Sequence, residues 1–113
     1  MLGNEYQNLA MRTTKDEWRG KGCIEQKIHA VTGLASEAGE VAGLIQKTYQ
    51  GHELDITHLI KELGDCIWFI AECCDAWGIT LDEVMETNIN KLKARYPDGF
   101  DSVHSLHRAK DDI

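Results

Sequence analysis

Four acidic residues stand out by type and spacing: Glu37 and Glu40 in Glu37-Ala38-Gly39-Glu40, and Glu62 and Asp65 in Glu62-Leu63-Gly64-Asp65. Within each pair the i,i+3 spacing puts both carboxylates on one side of a helix. The midpoint between the pairs falls at about Gly51, inside the polar stretch Gln50-Gly51-His52-Glu53. A chain that folds back there as an antiparallel helix hairpin brings the pairs level with each other. Converging carboxylates repel one another unless cations neutralise them. Hard divalent ions such as Mg²⁺ favour all-oxygen ligand sets of this kind. The chemistry implied is a metal site.

The elements that must hold these residues are helical throughout, with no run of alternating β-branched residues. A first helix is expected from about Glu5 to Met11, capped by Asn4. Thr13 to Gly22, with two glycines and no periodicity, is expected to be a loop. The second helix should run from about Cys23 to Gln50. There Ile24, Ile28, Val31, Ala35, Ala38, Ala42 and Ile45 alternate steps of four and three, the mark of a seam packed on another helix. Gly33, Gly39 and Gly43 lie inside this helix at about 1 kcal/mol each relative to Ala. Close approach of a neighbouring backbone is the expected reason. The third helix should begin at Asp55 or Thr57 and stop at Gly78. Thr80-Leu81-Asp82-Glu83 has the pattern of a capping box opening a fourth helix, which closes at Tyr96-Pro97-Asp98-Gly99. The polar tail, 101–113, is expected to be partly ordered at best. The fold class is therefore all-α: a helical bundle of four main helices with a long central antiparallel helix hairpin, completed by oligomerisation. Residues 1–113 form a single domain.

Placing residues at 100° steps sharpens the site. Glu62 falls between Cys66 and Phe69, within the edge of an apolar stripe, where an unpaired carboxylate is costly. Glu37 lies at the edge of the apolar arc near Val41 and Leu44, and Glu40 lies a step further outward. Glu72 continues the line from Asp65 at i+7 and is expected to be solvated, with an outer ligand as the alternative. On the fourth helix Asn88, Lys91 and Arg95 share the face of Leu81, Val84 and Leu92. A donor-rich stripe in a core position points to an anionic ligand such as phosphate; the alternative is basic side chains snorkelling past the core. Lys47 lies a face-step beyond Glu40 and Leu44 and is a further candidate for phosphate.

Composition narrows the field. The 113 residues suit one domain with a modest core. The net charge of −7, from 19 acidic and 12 basic residues, argues against direct nucleic-acid binding, which needs a basic surface. No apolar run is long enough to span a membrane, and the start Met1-Leu2-Gly3-Asn4-Glu5 lacks a secretion signal's basic and apolar segments. Four cysteines, Cys23, Cys66, Cys73 and Cys74, form no Cys-x-x-Cys pair. They are expected as reduced, mostly buried thiols of a cytoplasmic protein.

Three segments together resemble one family. They are Gly33-Leu34-Ala35-Ser36-Glu37-Ala38-Gly39-Glu40-Val41, Lys61-Glu62-Leu63-Gly64-Asp65-Cys66-Ile67-Trp68, and Asn88-Ile89-Asn90-Lys91-Leu92 followed by Arg95-Tyr96-Pro97-Asp98-Gly99-Phe100. In this order they are similar to the MazG-like nucleoside triphosphate pyrophosphohydrolases of the all-α NTP pyrophosphatase superfamily. The resemblance implies cleavage of a nucleoside or deoxynucleoside triphosphate between the α and β phosphates, often as nucleotide-pool house-cleaning. It implies Mg²⁺, for which Mn²⁺ substitutes, held by Glu37, Glu40, Glu62 and Asp65. It also implies a homodimer or homotetramer with the site bordered by more than one subunit. Asn88, Lys91, Arg95 and Lys47 would then contact the substrate. Phe69, one turn after the second acidic pair, would touch its sugar or base, and Trp18 and His29 are further candidates for stacking on the base.

Two other classes compete. A non-catalytic helical assembly or regulatory module would keep the apolar faces but gives no reason for Glu62 and Asn88 to interrupt them. A ferritin-like di-iron protein needs Glu-x-x-His pairs, and neither acidic pair contains histidine. Within the superfamily, a phosphoribosyl-ATP pyrophosphatase is the weaker candidate.

Overall fold

Turn chemistry sets where the helices begin and end. In the structure, a computed structural model describing all 113 residues, five helices follow in order. They are α1 (Gly3–Met11), α2 (Ile24–Tyr49), α3 (Ile56–Trp77), α4 (Leu81–Arg95) and α5 (Ser102–Leu106). Asp55 caps α3 by accepting from the His58 N–H at 3.2 Å. Gly78 ends it in the left-handed region at φ 67°, where a residue without Cβ carries no steric penalty. Gly51, at φ 104°, turns the chain between α2 and α3. The long helices thus start and stop within a residue or two of expectation. The first is capped two residues earlier: Leu2 is the N-cap, and Asn4 lies inside α1.

The chain divides into two compact units, Met1–Leu81 and Asp82–Ile113. In the first, α3 packs against both α2 and α1. Ala10, Met11 and Ala71 form a small buried cluster flanked by Tyr6 and Trp68. The segment between α1 and α2 is a structured connection. Arg19 donates to the carbonyl of Met11 (2.7 Å) and to those of Arg12 and Thr14, and pairs with Asp16 at 2.8 Å. These carbonyls at and beyond the end of α1 have no helical partner, so one guanidinium fixes the whole turn. The Trp68 indole N–H reaches the same place, donating to Thr13 Oγ1 at 2.8 Å and to the Ala10 carbonyl at 3.2 Å.

The antiparallel pair α2/α3 is organised in rungs about Gly51. Gln26 Nε2 donates to Asp75 at 2.7 Å. His29 meets Glu72. Gly33 lies under the Phe69 ring, so close that a Cβ there would come within 2.1 Å of a ring carbon. Glu37 meets Glu62 and Asp65. The expected close approach at Gly33 is therefore real, but the neighbour is an aromatic side chain and not a backbone. Gly39 and Gly43 have nothing within 4 Å of an added Cβ, so no packing in this chain explains them.

The seam from Ile24 to Ile45 does not face α3. Ile24, Ile28, Val31 and Ile45 are about half exposed, and Ala35, Ala38 and Ala42 are exposed with them. A heptad-like repeat specifies a face that packs, not the element it packs on, and here α3 takes the adjacent face. In the second unit, Val84, Met85, Ile89 and Leu92 of α4 are likewise exposed. The tail carries α5, capped by Asp101 accepting from the Val103 and His104 N–H groups. An Asp-capped turn is a local signal that needs no apolar periodicity.

Candidate functional site: an acidic rung beside an aromatic cluster

The hairpin register delivers three of the four expected carboxylates to one point. Glu37 from α2 and Glu62 and Asp65 from α3 have ligand oxygens all within 4.8 Å of one another. Glu37 and Glu62 are half-buried and Asp65 is exposed. Glu40 lies outside this trio and is exposed. It belongs to the same electrostatic field, since its charge is among those acting on Glu37.

The electrostatics are those of a site with too much negative charge. Glu37 is pushed above the usual carboxylate range, first by desolvation and then by a hydrogen bond with Glu62 and the charges of Asp65, Glu62 and Glu40. The Cys66 thiol is raised by desolvation and by the charges of Glu37, Asp65 and Glu62. Tyr6 is raised by desolvation and then by Asp65. Against this stands one hydrogen bond to an imidazole, His58 Nε2 to Glu62 Oε1 at 3.1 Å. Three hard oxygen donors within reach of one point, short of positive charge, suit a hard divalent cation.

One helical turn along the pair, roughly 6 Å at 1.5 Å per residue, the surface changes from acidic to aromatic. Phe69 follows Asp65, and Gly33 precedes Glu37, whose missing Cβ gives the Phe69 ring its place. His29 packs against Trp18 (centroids 5.2 Å apart), Phe69 (5.5 Å) and, edge to face, Trp68 (6.3 Å). Trp68 and Phe69 meet at 5.0 Å. Trp18, His29 and Phe69 therefore lie together beside the acidic rung. Trp68 joins them without having been singled out in the sequence; its place next to Phe69 is the signal that could have found it.

Glu72 differs from expectation. It is fully buried and not a solvated residue: the Thr14 hydroxyl donates to its Oε2 at 2.5 Å, and His29 Nδ1 lies 2.5 Å from its Oε1. Those partners are 58 and 43 residues away in sequence, so no local pattern announces them. The cysteines are free as expected, but only Cys74 is fully buried; Cys23, Cys66 and Cys73 are half-buried.

The second unit holds the basic candidates. Arg95 forms a forked pair with Asp112, Nε to Oδ2 and Nη2 to Oδ1, both at 2.7 Å. The pair raises the Arg95 pKa and lowers that of Asp112. Lys91 and Arg95 line a cavity of about 550 Å³ together with His104, His107, Arg108 and Asp112. Asn88 is exposed on α4, and Lys47, on α2 in the first unit, is exposed as well.

Fold and site together define an all-helical protein with a carboxylate cluster of metal-binding character at a helix hairpin. Comparison with known proteins narrows that class. Residues 26–100 match the MazG nucleotide pyrophosphohydrolase domain, and the chain belongs to that family. It is also similar to the gene 37 protein of Mycobacterium phage L5, with 34 % identity over 77 residues that cover 64 % of this chain and 68 % of that protein. No solved structure matches the chain. No helix is long and apolar enough to cross a membrane.

Proposed function

We propose that this protein hydrolyses a nucleoside or deoxynucleoside triphosphate between the α and β phosphates, releasing a monophosphate and pyrophosphate, with Mg²⁺ as the natural ion and Mn²⁺ as a substitute. The observation that carries this reading is the convergence of Glu37, Glu62 and Asp65 inside a chain of this family. Glu37, Glu62 and Asp65 would hold the ion, which when bound would neutralise phosphate charge and supply a more acidic water. Glu40, one turn from Glu37 and outside the trio, is the carboxylate free to orient that water and take its proton.

The aromatic cluster takes the nucleoside. Phe69, one turn from the carboxylates, and Trp18, packed on His29 a further turn along α2, offer apolar ring surface suited to a base or sugar. Asn88, Lys91, Arg95 and Lys47 keep the substrate-contacting role implied by the family resemblance. The forked Arg95–Asp112 pair supports it for Arg95, because the geometry that grips a carboxylate also grips a phosphate. A homodimer or homotetramer belongs to the same proposal. The half-exposed seam of Ile24, Ile28, Val31 and Ile45 supports it, being a packing face with no partner in the single chain. A cytoplasmic house-cleaning role fits this chemistry.

The deciding experiment is a screen of canonical and modified (d)NTPs with detection of both pyrophosphate and orthophosphate. The expected result is Mg²⁺-dependent pyrophosphate from at least one nucleotide, abolished by chelator. Orthophosphate alone would mean that another bond is cut, and no product from any nucleotide would favour a non-catalytic module.

A further inference from the structure

Glu72 has no part in the reaction above, yet it is among the most completely buried large side chains of the chain. A carboxylate shut away from water must be hydrogen-bonded at both oxygens. Here Thr14 serves Oε2 and His29 serves Oε1. An acceptor at Oε1 fixes a proton on His29 Nδ1. The imidazole is thereby tied by its inner edge. Trp18 and Phe69 lie tilted against it at 51° and 56°, and Trp68 stands perpendicular to it. Even so, 43 % of the His29 side chain is exposed. With Nδ1 committed to a buried partner, Nε2 is the ring nitrogen left to meet a ligand.

We propose that Glu72 is a positioning residue for nucleotide recognition: it orients His29 so that Nε2 makes a hydrogen bond to the base of the bound substrate. This inference rests on the triphosphate reading above and adds the element that reads the base. It also changes the part expected of His29. With aromatic rings crowding it, the imidazole reads an edge of the base by a hydrogen bond, and stacking falls to the aromatic rings. The arrangement follows the logic by which a buried acceptor sets the tautomer and direction of a functional histidine. The placement is suitable, since His29 lies two turns before Glu37 on α2, roughly 12 Å along the axis, with Phe69 between the two levels. A nucleotide anchored by its phosphates at the carboxylates would extend its base toward this ring.

Two measurements test it. In ¹⁵N spectra of the histidine side chains, His29 should carry its proton on Nδ1 in the free protein. Its Nε2 resonance should move when the α,β-methylene analogue of a turned-over nucleotide is added with Mg²⁺. In steady-state kinetics, Glu72→Leu, whose side chain can accept no hydrogen bond, should raise KM on the order of tenfold, the worth of one hydrogen bond to a charged or polarised group, and more than it lowers kcat. In a His29→Gln background the same substitution should add little, because both act through one contact. A folded Glu72→Leu protein with unchanged KM would overturn the proposal. So would an Nε2 signal that stays still while Phe69 and Trp18 signals respond, and this second result needs no variant to fold. Either failure alongside normal pyrophosphate release refutes only the role of Glu72. Absence of pyrophosphate release by the wild-type protein from any nucleotide refutes the hydrolase reading and this inference with it.

Discussion

Two rungs of the same helix pair treat carboxylates in opposite ways. At the Glu72 rung, one fully buried carboxylate receives a hydroxyl and an imidazole. At the Glu37 rung, three carboxylates crowd within 4.8 Å, and Glu37 is held above the usual carboxylate range, first by desolvation and then by its acidic neighbours. The first is complete within the chain, so it stabilises and orients. The second is incomplete, because its members share one another's charge and a single imidazole contact at His58. Burial alone therefore does not mark a functional carboxylate. The balance of donors against charges does, and on α3 that balance changes over seven residues, from Asp65 to Glu72.

The widest separation between the rungs should be in activity. Glu62→Ala should reduce pyrophosphate release by at least about a hundredfold, since even groups that only orient metal ligands cost ten- to a hundredfold. A Glu62→Ala enzyme with near-normal turnover would place the chemistry elsewhere. In stability the order should reverse. Glu72→Ala should cost roughly 3 kcal/mol in denaturant unfolding, because it strands two buried donors and opens a hole. Glu37→Gln should instead raise the Tm of the metal-free protein while abolishing the further rise on adding Mg²⁺. Equal destabilisation by both would erase the distinction drawn here.

The glycines between the rungs give a finer contrast. Gly33→Ala drives a Cβ into the Phe69 ring and should cost about 1–3 kcal/mol by overpacking. Gly43→Ala, with open space around it, should stabilise the single chain by up to about 1 kcal/mol. Should Gly43→Ala instead destabilise, light scattering of the variant would tell whether the small residue serves a subunit contact.

The smallest expected effect is on pH. Glu37 titrates above its ordinary range when folded, so the folded chain binds more protons than the unfolded one between those two values. The stability contributed by this group in metal-free protein therefore falls as pH rises through that window and returns on acidification. Thermal melts without metal from about pH 4 to neutral should show this component, and Glu37→Gln should remove it. A component unchanged in Glu37→Gln would contradict the assignment.

Much of this was legible in the chain because it depends on period and position. The acidic pairs are equidistant from Gly51, and that symmetry placed Glu37 beside Glu62 and Asp65. Helix ends were legible at Asp55 and Gly78, where capping chemistry is local. What stayed hidden depends on partners distant in sequence. Glu72 looked solvated because Thr14 and His29 lie in other elements. The seam from Ile24 to Ile45 announces a face that packs on another helix but not which helix, because periodicity does not say which neighbour covers a face. Glu40 shares the acidic pattern but lies a step further outward on α2 than Glu37, and it falls outside the trio. Gly33 was recognisable as a close approach, whereas the identity of the ring above it required the register to be known.

The central property is cation binding at the Glu37–Glu62–Asp65 rung. Calorimetric titration of Mn²⁺ into wild-type protein and into Glu62→Ala measures this without any nucleotide. Saturable binding in the wild type that disappears in the variant is the predicted result. No binding in the wild type, or binding that survives the loss of Glu62 unchanged, would contradict it.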